Sequence, residues 1–324
     1  MKKLSRRDVV SMIEFVRELP RVIASPVLSR LPGGRISAIA PIEPVTLTNP
    51  SIVVQGGEIV AAVREVKYRL SRFVGMVQSA EPLRVSTWLY RYRDIASSPS
   101  SVLPLQLDPA SELADLILED PRIFVWNGGL WCLWTSVSLD DDRCYLNKMV
   151  LGRLDGNVIS CLRIIESPHE RRREKNWIPF VRNGQLHFIY ELASLEIYRL
   201  NDKGLEIVSR EDGRISALEG CSGSSQLIPW GEDWICVAHR ALLRPRGWYL
   251  FPLAYYRHRF IVLSPDFRLK AMSAFFFFEK RNIEFCAGMV SEGEHVLLSF
   301  GVGDRTARVL RLHKEQVMSL LDRQ

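Results

Sequence analysis

One pattern recurs five times along this chain: a short apolar strand, a turn containing glycine, then a second apolar strand that finishes on a polar residue. The copies run from Asn49 through Gly56-Gly57 to Arg64, from Asp120 through Gly128-Gly129 to Ser136, and from Ile178 through Asn183-Gly184 to Tyr190. Two more run from Ser225 through Gly231 to His239, and from Ile283 through Gly293 to Phe300. The chain between successive turns is long enough for four short strands, and a repeated supersecondary unit of this size limits the fold more than composition does. A ring of blades meets the requirement, because its inner strands are buried on both faces and its outer strands are more polar. The expected fold class is therefore all-β, a five-bladed β-propeller. A jelly roll or two packed sandwiches would also use short strands, but neither calls for five copies of one hairpin.

Outer strands are legible between the copies at Lys148–Arg153 with Val158–Ile164, Leu195–Leu200 with Leu205–Ser209, and Tyr255–Leu263 with Ala271–Phe278. The run Ala274-Phe-Phe-Phe-Phe-Glu reads as propeller core. Helical periodicity is confined to the two ends and a short stretch from Ser111 to Leu118. At the N-terminus, Ser5 and Asp8 have capping spacing, and Val9, Met12, Ile13, Val16 and Leu19 recur at three and four residues until Pro20. This basic, amphipathic helix is expected to pack on the protein's own body or on a partner subunit, and membrane contact would be confined to it. Ser25 to Pro44 reads as an extended connector and Glu315 to Leu321 as a closing helix. The expected organisation is 1–45, helix and connector; 46–312, propeller; and 313–324, helical tail.

Composition excludes other classes. Apolar residues make up 47% and charged residues 25% of 324, and no uncharged apolar stretch is long enough to span a bilayer. A net charge of +6 favours anionic small ligands but is too small to indicate nucleic acid, so none is expected as a partner. Six cysteines without C-x-x-C spacing, and no secretory leader before them, read as buried free thiols in a cytoplasmic protein. A homo-oligomer stays open.

A hairpin's first strand starts where its second finishes. If all five first strands run the same way along the channel, one mouth gathers Asn49, Asp120, Lys175-Asn176, Ser224-Ser225 and Glu284 with Arg64, Ser136, Tyr190, His239 and Asp304. A polar, mostly ionisable ring on an apolar core is where a ligand site forms. Taken singly, Asp120 before Pro121 can merely start a strand, His239 can be a satisfied core histidine, and Asp304 can pair with a neighbouring arginine; their convergence favours one shared site. Arg171-Arg172-Arg173 would bring positive charge to the third inner strand, or form a solvated loop. Asp140-Asp141-Asp142 lacks calcium-loop spacing and reads as a solvated turn. No phosphate loop, H-E-x-x-H or dinucleotide fingerprint occurs, and Gly220-Cys-Ser-Gly-Ser-Ser is not a nucleophile elbow, so neither metal nor cofactor is expected.

Asn49-Pro-Ser with Val63-Arg64, the Glu119-Asp120-Pro121-Arg122 element, Lys175 before an inner strand, Trp234 to His239 and Phe285 to Asp304 together resemble the five-bladed propeller glycosidases. Closest are glycoside hydrolase family 130, the inverting β-mannoside phosphorylases, and the related β-mannosyltransferases. The resemblance implies that Asp120 is the general acid. It also implies that Asn49, Arg64, Arg122, Tyr190, Glu284 and Asp304 face the sugar, and that Arg173, Lys175 and His239 face phosphate. The partners would be a sugar or oligosaccharide and inorganic phosphate or a sugar-phosphate donor. One carboxyl suffices when the nucleophile arrives ionised, as phosphate does, whereas inverting hydrolysis needs a base, for which Glu284 is the remaining candidate. A transferase of surface-polysaccharide assembly and a non-catalytic glycan- or protein-binding propeller are the alternatives.

Overall fold

The computed structural model describes every residue except 1–5, 42–44, 67–68, 72–74, 78–85, 110, 114–115, 140–144, 170–172, 246 and 322–324. Asp140–Asp142, Cys144, Arg171 and Arg172 therefore lie outside the described residues. Five blade sheets stand around a channel, each ordered from the inner strand outward. They are antiparallel except where Gln106–Leu107 joins Val158–Ile165 in parallel, and a two-stranded ribbon, Arg69–Ser71 with Gly75–Val77, lies apart from them. The inner strands are Thr46–Gln55, Ile117–Trp126 and Ile178–Arg182, a broken strand of Ser222–Gly223 and Ile228–Trp230, and Glu284–Glu292. Their hairpin partners are Glu58–Val66, Gly129–Leu139, Gln185–Glu191, Asp233–Leu243 and His295–Val302.

The turns explain why the repeat is so visible. Each hairpin closes through two residues, flanked by Gln55 and Glu58, Trp126 and Gly129, Arg182 and Gln185, Trp230 and Asp233, or Glu292 and His295. In the first three both turn residues have positive φ, Gly56-Gly57, Asn127-Gly128 and Asn183-Gly184, the backbone that matches the right-handed twist of the strands. Gly129, expected in the second turn, is instead the first residue of the strand that follows. Neighbouring turns touch at the same end of the ring: Gln55 Nε2 donates to the Gly128 carbonyl and Trp126 Nε1 to the Gly184 carbonyl.

Three differences from the sequence reading have physical causes. Arg35–Ile39, expected within a connector, pairs antiparallel with Thr306–His313 as the outer strand of blade 5, so the chain's two ends close the ring. Pairing there gives the backbone of Arg35–Ile39 ladder partners that an isolated connector would lack. The N-terminal helix α1 (Arg6–Ala24) runs through Pro20 rather than stopping there. Its last turn is held by Val22, which is buried against blade 4 with Phe15, and by Ser25, whose amide and hydroxyl both bond the Arg21 carbonyl. The buried face is Phe15, Glu18 and Val22, and the stripe of Val9, Ile13 and Val16 faces outward. No helix forms over the described part of Ser111–Leu118; its last residues open the inner strand Ile117–Trp126. The phenylalanine run lies beyond the outer strand Leu269–Met272 and crosses to blade 5, with Phe276, Phe277 and Phe278 fully buried. The closing helix α2 spans Lys314–Leu321.

Among the described cysteines Cys132, Cys236 and Cys286 are buried, Cys221 is half-buried and Cys161 is exposed. No helix among the described residues is long and apolar enough to cross a membrane.

The channel is bolted by one side chain that the sequence did not advertise. Gln226, in the break of the fourth inner strand, donates to the Ile52 carbonyl of blade 1 at 3.1 Å and to the Ile123 carbonyl of blade 2. Its Oε1 accepts the Met289 amide of blade 5 at 3.0 Å. A buried amide with every polar atom partnered fixes four blades in one register.

Candidate active site

The mouth begins with a backbone device. Asn49, Asp120 and Asn176 open the first three blades with φ of 47°, 50° and 65°, in the left-handed region that Asn and Asp enter more readily than other side-chain-bearing residues. The first two precede Pro50 and Pro121, which cannot donate to the ladder, and the pairing register slips at both places. The resulting bulges turn these polar side chains toward one another.

Asp120 Oδ1 accepts hydrogen bonds from Asn49 Nδ2 and Arg64 Nη1, each at 2.9 Å. Arg64, itself buried, donates through Nη2 to Glu119 Oε1 at 2.7 Å, so one guanidinium grips two adjacent carboxylates. Lys175 Nζ stands 3.9 Å from Glu119 Oε2. Burial alone would raise the Asp120 carboxyl, but Arg64 and the Asn49 amide outweigh it and hold the group below the usual carboxylate range. For Glu119 burial wins over Arg64, aided by the charges of Asp120 and Asp304, and its carboxyl is pushed up. Asp304 acts on the same cluster, and after burial it is the next cause that raises the hydroxyl of half-buried Tyr256.

Arg122 is a girder. It is fully buried and donates through Nε to the Ser224 carbonyl at 2.9 Å and through Nη2 to Asn176 Oδ1 at 3.0 Å. Its face lies 5.5 Å from the Phe285 ring. Burial lowers its pKa to about 10, so it remains a cation at neutral pH while tying blade 2 to blades 3, 4 and 5. The sugar-facing position expected for it is thus filled by protein.

His239 sits beside it, with Nδ1 2.8 Å from Ser224 Oγ and its ring stacked on Tyr256 at 5.4 Å. Burial, then Arg122, lowers its pKa to about 4. At neutral pH His239, expected to face phosphate, is therefore neutral, and it offers hydrogen bonding rather than charge. A histidine kept neutral by burial contributes stability that is complete above its ordinary pKa of 6.5 and is lost as pH falls toward 4. Buried His258 follows the same sign. We expect urea unfolding free energy to decline over that window by up to about 1.36 kcal/mol per pH unit for each histidine. In His239→Gln the slope should be shallower; an unchanged slope would mean that His239 is charged in the fold.

Two further expected residues serve the scaffold. The fully buried Glu284 carboxylate accepts the amides of Phe278, Glu279 and Lys280 at 2.7–2.8 Å, and burial raises its pKa to about 7. It anchors the crossing into blade 5. Tyr190 donates its hydroxyl to Glu174 at 2.9 Å; Glu174 also accepts Trp177 Nε1, so the segment presenting Lys175 and Asn176 is pinned from below. Arg173 is exposed and pairs through its backbone with Asn147. The structure thus brings together Asn49, Arg64, Asp120, Lys175, His239 and Asp304. It adds Glu119 and Tyr256, which the reading had not singled out as site residues; Glu119 was in view inside the Glu-Asp-Pro-Arg element, while Tyr256 lay unmarked in the strand Tyr255–Leu263, read as an outer one.

Close packing behind the mouth is testable. A Cβ on Gly301 of blade 5 would lie 2.1 Å from Asn49 Oδ1 and 2.3 Å from Thr48 Oγ1. Gly301→Ala should therefore cost roughly 1–3 kcal/mol of stability by overpacking, read as a lowered urea midpoint, and should displace Asn49 from Asp120.

No family model matches the sequence, and no curated protein matches it. Solved structures do resemble it in fold. The β-1,2-mannobiose phosphorylase of Listeria innocua superposes with a TM-score of 0.56 at 14% identity, over 89% of this chain and 97% of that one. MPT-4, a mannose phosphorylase from Leishmania mexicana in complex with phosphate ion, gives 0.57 at 12% over 94% of each. MPT-1, a GDP-Man-dependent mannosyltransferase of the same organism, gives 0.54 at 11% over 93% and 94%. The chain shares the five-bladed propeller of these proteins.

Proposed function

We propose that the protein makes or breaks a β-linked, mannoside-like hexoside with inversion, using inorganic phosphate or a sugar-phosphate donor and Asp120 as general acid. The observation that carries this reading is the grip of Arg64 on Asp120 and Glu119 with Lys175 beyond them, an acid embedded in positive charge. In the degradative direction a phosphate oxygen bonds to the anomeric carbon from one face while the glycosidic bond breaks on the other. The Asp120 proton passes to the departing sugar oxygen, leaving an inverted sugar 1-phosphate and a free hydroxyl.

Asp120 rests ionised because Arg64 and Asn49 hold it so. A phosphate anion settling near Arg64 and Lys175 offsets their charge and displaces water, after which burial dominates and the carboxyl takes up a proton. Acid catalysis is then coupled to anion binding. Inverting hydrolysis is less well served, since the candidate base Glu284 is committed to three backbone amides. The fold shared with a GDP-Man-dependent mannosyltransferase favours transfer from a phosphate-bearing donor as the second reading. Incubation with β-1,2-mannobiose and phosphate, followed by ³¹P NMR, should yield mannose 1-phosphate only when both are present. Saccharide binding without turnover under phosphate or a nucleotide-sugar donor would leave a non-catalytic propeller.

A further inference from the structure

Blade 4 carries an arginine cluster that the mouth does not use. Arg257 and Arg259 flank His258 in the strand Ala254–Leu263 and project from the opposite sheet face. Arg240 is the cross-strand partner of Arg257 and shares its face. The Arg257 and Arg259 guanidinium carbons lie 4.9 and 4.4 Å from the Phe275 ring centroid. Arg240 covers Gly220, where a Cβ would meet its Nε at 3.5 Å. All three cations act electrostatically on the Cys221 thiol.

Their charge is not balanced by protein. Among the described residues a single carboxylate bonds to the cluster, Glu18 of α1, 2.7 Å from Arg257 and shared with Arg21. Arg259 donates to the Ser273 and Ala217 carbonyls, which accept hydrogen bonds but carry no charge. Arg257 is only 3% exposed, and its buried Nε has no acceptor. Arg240 has no hydrogen-bond or ion-pair partner among the described residues. Guanidinium groups stay protonated, and gathering buried cations is costly unless an anion compensates. The niche opens to solvent past Gly220, Cys221 and Ser222. Forked donors of this kind suit a tetrahedral oxyanion.

We propose that Arg240, Arg257 and Arg259 form a binding site for a phosphate-class oxyanion on the flank of blade 4, on the opposite sheet face from His239. It stands independently of the reaction assigned to the mouth. The test is calorimetric titration of the full chain at low ionic strength with inorganic phosphate, pyrophosphate and mannose 1-phosphate. Wild type should show a saturable site that survives Lys175→Ala and weakens at least tenfold in Arg240→Ala, with Arg240→Lys recovering part of the affinity. Because Arg240 has no bond to lose, the Arg240→Ala protein should fold and keep or raise its Tm in phosphate-free buffer. Tighter binding of pyrophosphate assigns the niche to a free oxyanion, and tighter binding of mannose 1-phosphate to a sugar ester; either supports the site. Unchanged binding in Arg240→Ala, no binding to wild type, or complete loss in Lys175→Ala overturns it.

Discussion

Asp120→Asn should abolish turnover while leaving the fold intact. General acid assistance is typically worth about 10²–10⁴ in rate, and a sugar alkoxide is a poor enough leaving group to put this case at the upper end. The amide keeps the size of the carboxyl and an acceptor for Arg64, but has no acidic proton to give. Steady-state release of sugar 1-phosphate measures the loss, and sugar affinity should change little. The wild-type rate should also fall as pH rises through the pKa of Asp120 in the phosphate complex, a limb absent from the residual activity of the variant. Undiminished activity in Asp120→Asn would remove the acid role.

Arg122→Ala should be the most destabilising single change at the mouth. Arg122 is fully buried, and two of its hydrogen bonds reach the Ser224 carbonyl and Asn176 Oδ1 across the channel. Truncation strands the buried Ser224 carbonyl, removes the bond to half-buried Asn176 and leaves a cavity against Phe285. Breaking a buried charged network of this kind typically costs about 3–5 kcal/mol, visible as a large fall in the urea midpoint. Activity should suffer as well, because Asn176 belongs to the segment that presents Lys175. A variant with wild-type stability would mean that the blades are held by Gln226 and strand packing alone.

The propeller was legible because its hairpins announce themselves twice, in apolar strands and in two-residue turns that require Gly or Asn. That topology is also the reason to expect Asn49, Arg64, Asp120, Lys175, His239 and Asp304 around one mouth. What the pattern concealed is equally physical. Arg35–Ile39 has no hairpin of its own; it becomes a strand only because Thr306–His313 offers an edge. Helix α1 is apolar on two sides, and periodicity alone picks Val9, Met12, Ile13, Val16 and Leu19, of which Leu19 packs on the face that blade 4 covers while Val9, Ile13 and Val16 point outward. Glu284 starts its inner strand, yet its carboxylate turns back to the amides of Phe278–Lys280, a choice set by the irregular loop that leads into the fifth copy. Charge state was hidden too: only three-dimensional burial makes His239 neutral.

The pairing of Arg35–Ile39 with Thr306–His313 also dictates an order of events during synthesis. The outer strand of blade 5 is made before any strand of blades 1 to 4, and the strand it needs is made after all of them. Until then the early strand has no edge to join, and blade 1 has no fifth neighbour. Blades 1 to 4 can stack in sequence as they emerge, but the ring stays open, with apolar blade faces uncovered on both sides of the gap, until blade 5 is complete. A ribosome stalled before residue 306 would therefore carry a propeller that cannot close, and such nascent chains are where a holdase would be needed most.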